Sequence, residues 1–442
     1  MKTALLIAAL LCSAALALAQ DEAQIHNGLD FTTPLTITAG REDQMLVGTE
    51  KITDNTSIIS GPTMRLYKGG PRGNFDLHYT PEFQLFQNRT DLNSWNHSAG
   101  FLTEYRMTER LTNTTSDSFL NTQDPTRSLG ESAFLLPRQS FTENMFNAAL
   151  SYGLGPATTF SLSYGNTLSD LLEPVNQITP RLLEMANVGT VGLSHTFGEH
   201  NRVSAEYSVL KLRDFGSRAA SLNQQPAVTQ LSHSAGFGYS YTGLRGFYFG
   251  ATAGVTRGGI DSYAVSGQIG KRWTSVLVEL GYTRQLSAFR SLLSNTIAPV
   301  DVTGAVLDSR IGTGVQLNSV FQAATLRYRE KFGYRVGMEL RALAGRTNNL
   351  GSLPPNIDSA TGRLRFYFRL ASRFSFFTGA EFYNQNFNQL LGTSLERKRF
   401  YAGMMISVAR RAQPMEMSGQ EQSETDQRRD IAADWPADWG TE

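Results

Sequence analysis

The chain has 442 residues, 40 of them basic and 39 acidic, for a formal net charge of +1. That balance excludes the concentrated basic surface that a nucleic-acid partner calls for, and the single cysteine, Cys12, excludes disulfides and cysteine metal sites. After the first 19 residues no apolar run approaches the roughly 18 residues that a membrane helix needs.

Those first 19 residues read as a secretory signal: Lys2, the apolar run Ala4 to Leu11, then Ala17-Leu18-Ala19 before Gln20. Cys12 lies inside it, so the mature chain is expected to be free of cysteine. Residues 20–32 are polar and read as a short periplasmic leader. Strands are predicted over Leu35 to Arg41 and Ile58 to Tyr67, followed by a compact turn from Gly69 to Gly73. From Phe75 to Leu85 apolar and polar residues alternate, and Pro81 marks a local distortion, since proline belongs at edges or bulges. His97 to Met107 and the Thr- and Ser-rich Leu111 to Phe119 form the next pair, before a long connection from Leu120 to Ser140. Thr142 to Leu154 then faces Thr158 to Leu168 across Gly155-Pro156-Ala157.

The same unit recurs. Val188 to Phe197 pairs with Arg202 to Leu212, Leu231 to Tyr241 with Gly246 to Val255, and Tyr263 to Arg272 with Ser275 to Tyr282. Val315 to Tyr328 pairs with Tyr334 to Ala344, and Arg363 to Leu370 with Arg373 to Tyr383, before a last strand from Phe400 to Val408. The segment His-Ser-Ala-Gly-Phe occurs twice, at His97 to Phe101 and His233 to Phe237, each time opening a strand after a loop. It reads as one hairpin solution used twice, by convergence or by duplication. Beyond Arg410 the tail to Glu442 is rich in Gln, Glu, Asp and Arg, a composition that does not offset the entropy of ordering. It is expected to be disordered on the periplasmic side, with Trp435 and Trp439 as the residues a periplasmic partner would grip.

Strand side chains alternate between two faces. In Arg363 to Leu370, Leu364, Phe366, Phe368 and Leu370 share one face, while Arg363, Arg365, Tyr367 and Arg369 share the other. An exported chain without membrane helices crosses a membrane only as a closed barrel. Short turns alternate here with long connections such as Ser287 to Gly314, which is long enough to fold inward and constrict a lumen. One-sided loop asymmetry and strands of about 10 to 12 residues suit a transmembrane barrel better than a sandwich. The fold expected is all-β, an antiparallel up-and-down barrel over residues 33–409 with eighteen strands, or sixteen. Tyr67, Tyr105, Tyr152, Tyr241, Tyr282 and Tyr328 lie near strand ends and are expected to form an interfacial girdle.

Signal, hairpin series and terminal strand together resemble bacterial outer-membrane β-barrel proteins, in particular porin-like families. The sharpest local match is Tyr401 to Val408, where Tyr401, Gly403, Ile406 and Val408 resemble the terminal-strand signal of such barrels. The tail beyond it departs from the family pattern, which ends on that strand. The resemblance implies the outer membrane of a Gram-negative-type bacterium, contact with its lipid, and insertion by the barrel-assembly machinery.

With the apolar parity on lipid, Arg327, Arg335, Arg341, Arg363, Arg365 and Arg369 are predicted to line the lumen, with Glu279, Glu339 and Glu381 among them. Earlier strands place Asp76, Glu82 and Glu104 inward, with Arg106. This predicts a basic wall and a more acidic one. Such walls set ion selectivity, or else they pair into a network that fills the interior. A catalytic Ser and His on one strand face would sit two residues apart. His97-Ser98 and His233-Ser234 are adjacent instead, and no metal motif, phosphate loop or cofactor signature occurs. The sequence therefore reads as a channel for small polar solutes, with some preference for anions near the arginine wall, rather than an enzyme. A barrel for polysaccharide or polymer export and an adhesive surface barrel presenting long loops stand as alternatives.

Overall fold

In the computed structural model the described residues are 28–31, 34–47, 50–124, 138, 140–171, 182–214, 228–243, 246–258, 261–287, 319–349, 357–371, 373–387 and 394–407. The signal segment, most of the leader, Val408, the tail and the Ser287 to Gly314 connection beyond its first residue lie outside them. The chain forms β1 (Gly28–Phe31), β2 (Leu35–Val47), β3 (Glu50–Ser60), β4 (Met64–Gly70), β5 (Gly73–Phe86), β6 (Ser94–Arg106) and β7 (Leu111–Thr122). Next come β8 (Phe141–Gly153), β9 (Thr158–Leu171), β10 (Leu182–Phe197), β11 (Asn201–Asp214), β12 (Val228–Thr242), β13 (Phe247–Arg257) and β14 (Ser262–Arg272). β15 (Val276–Ser287), β16 (Ser319–Phe332), β17 (Val336–Asn349), β18 (Ile357–Ala371), β19 (Phe374–Phe387) and β20 (Ser394–Ile406) complete it.

These twenty segments make eighteen staves, because β1 runs on into β2 and β3 into β4. Every stave pairs antiparallel with its neighbours, and β2 closes the ring on β20 from Leu35↔Ile406 to Asp43↔Lys398. Closure leaves no edge, which hydrocarbon requires. The wall also starts earlier than the sequence suggests, since Gly28–Phe31 pairs with Tyr67 to Met64. The short turns are tight, and Gly198 and Gly333 take φ of +61° and +69° there, a region that favours glycine.

Apart from a shift between Arg369 and Ala371 at the end of β18, two irregularities decide which side chains face inward. β3 and β4 both pair with β5, but Ser60↔Glu82 and Met64↔Tyr79 differ in register by one residue. The slip lies at Gly61–Thr63, opposite Pro81, where the distortion was expected. A one-residue slip exchanges the two faces, so Ile58 faces the lumen in β3 while Arg65 and Tyr67 do so in β4. Tyr67 is thus a correction: its ring lies beneath the Arg65 guanidinium in the lumen instead of joining the girdle. The other five tyrosines are on the outer parity. The second irregularity is in β2, where Gln44 has φ of 58° and the register shifts between Glu42 and Met45. Glu42 and Met45 consequently both point inward and are buried.

The outer face is apolar and exposed over most of its circumference, including Leu193, Phe237, Val255, Ile269, Leu280 and Phe376. On a closed ring this is a lipid-facing band, so the protein is a transmembrane barrel. The repeated His-Ser-Ala-Gly-Phe segment has one structural meaning. In each copy the alanine lies opposite a tyrosine (Tyr79↔Ala99, Tyr207↔Ala235), and that tyrosine reaches diagonally to the histidine. Tyr79 Oη meets His97 Nδ1 at 2.8 Å and Tyr207 Oη meets His233 Nδ1 at 2.7 Å, both on the outer face.

Phe237 is 57% exposed on the outer band; Phe237→Arg should cost about 2–4 kcal/mol near the bilayer midplane. Ser163→Arg, on the lumen parity, should cost much less, as read from denaturant unfolding in phospholipid vesicles.

Candidate functional site

The lumen-facing charges are arranged by register. Glu279, Arg327, Arg341, Arg363, Glu381, Arg399, Glu42 and Asp54 are successive cross-strand partners on β15, β16, β17, β18, β19, β20, β2 and β3. They form one unbroken row. It starts three residues from the short-turn end of β15 and ends near the long-loop end of β3. Staves about 4.8 Å apart and tilted by roughly 40° make such a row climb the lumen as a helical stripe.

Within the row Arg327, Arg341 and Arg363 stand directly side by side. Like charges in that position repel, and two glutamates hold them. Glu339 Oε1 lies 2.7 Å from Arg341, 3.4 Å from Arg329 and 3.8 Å from Arg327. Glu381 lies 3.1 Å from Arg363, 3.3 Å from Arg399 and 3.9 Å from Arg365. Arg365 joins the two centres: its Nε donates to Tyr401 Oη at 3.0 Å and its Nη1 to Tyr367 Oη at 3.1 Å. Tyr367 in turn donates to Glu339 at 3.4 Å. Gly379 separates Arg365 from Tyr401 on the ladder, and a Cβ there would meet the Tyr401 ring at 2.7 Å. The missing side chain is what lets ring and guanidinium touch.

At the long-loop end Arg397 bonds Glu42 at 2.5 Å and Asp124 at 2.6 Å, and these groups are 3%, 0% and 2% exposed. Asp124 follows β7, four staves round the ring from β2, so this pair bridges the lumen rather than linking neighbours. Arg138 fixes the other described end of the same connection, donating to Gln84, Ser94 and the Leu92 carbonyl and lying over the Phe86 ring. Among the described residues, both ends of the connection between β7 and β8 are thus anchored inside the barrel.

Across the lumen, β4 to β11 place Asp76, Glu82, Glu104, Glu143, Glu184 and Glu206 on the inner parity, against Arg65, Arg106 and Arg202 on the same staves. Asp76 is ion-paired with Arg65, and Glu82 accepts from Asn96 at 2.7 Å. Leu102 and Met145 also point inward yet are 40% and 38% exposed, so the interior beside them is open to water.

Of the residues singled out from sequence, Arg327, Arg341, Arg363, Arg365, Glu339 and Glu381 come together in this network. Arg369 shares their parity at the short-turn end of β18. Arg335 does not join the wall: it lies in the turn before β17, exposed, over the Tyr334 ring at 4.9 Å. Tyr401 and Gly403 face the lumen, where Tyr401 packs with Tyr367, Phe377 and Met405, while Ile406 ends the seam with Leu35. Arg329, Arg397, Arg399, Glu42 and Asp124 escape the sequence reading. Arg397 and Arg399 continue the alternation of Tyr401 upstream, a legible signal; Asp124 has none, since only the closed ring brings it to Arg397.

No protein-family model matches the chain, and no curated relative does. Among solved structures it is similar to the outer membrane protein opdK of Pseudomonas aeruginosa, at 12% identity and TM-score 0.45, over 85% of this chain and 98% of that one. OpdQ of the same organism gives 12% identity and TM-score 0.45, over 85% and 98%. The alcaligin outer membrane receptor FauA of Bordetella pertussis gives 10% identity and TM-score 0.39, over 85% and 76%.

Arg397→Leu removes the cation shared by two buried carboxylates and should cost about 3–5 kcal/mol, lowering the temperature at which the folded band is lost on semi-native gels. Replacing Glu42 and Asp124 by Leu as well should restore part of that loss.

Proposed function

We propose that this protein is an outer-membrane channel for small polar solutes, with a preference for anions along the β16–β20 wall. The observation that carries the reading is the run Arg327, Arg341 and Arg363, three guanidiniums directly opposed on adjacent staves. Stability alone gives no reason for that placement, since like charges on neighbouring strands are unfavourable. A solute carrying a carboxylate or phosphate would meet them as a set of fixed donors. Around them, among the described residues, the ion-paired network comprises Arg327, Arg329, Arg341, Arg363, Arg365, Arg397 and Arg399 against Glu42, Asp124, Glu339 and Glu381, an excess of cations. Among the described residues the opposite wall carries more acids than bases, which favours a field across the lumen, and clefts lined by one sign concentrate counter-charged solutes. Pairing and passage are compatible: the glutamates and tyrosines hold the arginine side chains still, and the surplus charge remains for the solute. A barrel of eighteen staves is also large enough to enclose an aqueous channel. Passage, not catalysis, is the role these features support.

The refolded protein in a planar bilayer should give discrete openings, and a salt gradient should give a reversal potential of the sign for anions. Arg341→Gln with Arg363→Gln should move that potential severalfold closer to zero while the heat-modifiable band persists. A folded protein that never conducts would sink the open-channel reading.

A further inference from the structure

One stave breaks the apolar band. On β7 the outer parity is Leu111, Asn113, Thr115, Asp117, Phe119 and Asn121, because Asp117 is the partner of Phe101 on one side and Phe146 on the other. Its inner parity is equally polar, with Thr112, Thr114, Ser116 and Ser118. The polar surface spreads sideways to Asn144 of β8, Asn166 of β9 and Asn187 of β10, which share that outer face. Apolar side chains surround it: Leu77, Phe101, Phe146, Leu150 and Leu162.

The patch is partly knitted together. Asn144 Nδ2 donates to Asp117 Oδ1 at 3.0 Å, Asn166 Nδ2 to Asn187 Oδ1 at 2.9 Å, and Thr115 Oγ1 to Asn113 Oδ1 at 3.0 Å. A carboxamide offers two N–H donors and an acceptor oxygen; Tyr164 Oη also donates to Asn187 Oδ1 at 2.7 Å and Asn166 Nδ2 to the Ala186 carbonyl at 3.5 Å, so the unused capacity is greatest on Asn113 and Asn144. Acyl chains satisfy none of it, and each unmet polar group in hydrocarbon costs several kcal/mol. Lipid headgroups reach only the ends of a stave, whereas Asp117 is six residues in from Leu111.

We propose that the outer face of β7, with Asn144 and Asn166 beside it, is the contact through which copies of this chain associate within the membrane. A second copy is favoured over another protein by chemistry and depth. Copies inserted in the same direction around an axis along the membrane normal bring each residue to the same depth in both partners. Amides and hydroxyls are both donors and acceptors, so the Asn and Thr of the stripe are complementary to themselves, while the Asp117 carboxylate is held by Asn144 of its own copy. The inference is independent of which solute the lumen passes.

Cysteine cross-linking in native membranes tests it, in a Cys12→Ser background that leaves the chain without cysteine. Thr115→Cys and Asn113→Cys should give a product of twice the chain mass with a short membrane-permeant bis-maleimide. Ala253→Cys, on the outer face of β13, should not. A companion variant, Asn113→Leu with Thr115→Val and Asp117→Leu, should still fold, since it restores an ordinary lipid-facing stave. In mild detergent, light scattering should find the unaltered protein as a multiple of the chain mass and this variant as a single chain. A cross-link to a protein of different mass, no cross-link at all, or an unaltered protein that is itself a single chain would overturn the proposal.

Discussion

Closure of the backbone ladder is the constraint from which the rest follows. Inside a bilayer each peptide N–H and C=O must find a partner within the protein, and β2 supplies it for β20 along a seam that starts at Leu35↔Ile406. Once the ring is closed, each residue faces either lipid or lumen, and its neighbours are set by register. The slips at Gly61–Thr63 and at Gln44 therefore matter more than their size suggests. Each exchanges the two faces for the rest of its stave, bringing Tyr67 into the lumen and Met45 into line with Glu42.

Register also turns scattered charges into a device. Arg327, Arg341 and Arg363 belong to three different strands and become adjacent only on the ladder. Their mutual repulsion is offset by Glu339 and Glu381, which sit within the same cluster, buried beside them. Arg365 ties the two glutamate centres together through Tyr367 and Tyr401, and the bare backbone of Gly379 makes the room. The result is a wall whose cationic groups are held in place before a solute arrives. The Asp124–Arg397–Glu42 contact does a different job: it ties the end of β7 to the seam across the lumen, where neither partner meets water.

The sequence is most readable where the two faces of a stave differ strongly, as in Arg363 to Leu370. It is least readable at β7, where Thr, Ser and Asn occupy both faces and alternation gives no sign. The structure turns that weakness into information, because a lipid-facing stave has no reason to be polar unless protein covers it. Strand ends were likewise hard to place. β20 begins at Ser394 and β2 runs to Val47, so Arg397, Arg399 and Glu42 lie on stretches of strand outside the bounds read from sequence.

Alternation and the rhythm of short turns and long connections pointed to an all-β barrel of eighteen staves or sixteen and to the inward face of Arg327, Arg341, Arg363, Arg365, Glu339 and Glu381. That much is local, because a strand alternates its side chains whatever it pairs with. Tertiary structure alone decided which charges touch, that Tyr67 points inward, that Arg335 stands in a turn, and that Asp124 meets Arg397. Those outcomes depend on register summed around a closed ring and on two one-residue slips, quantities that no single stretch of the chain contains.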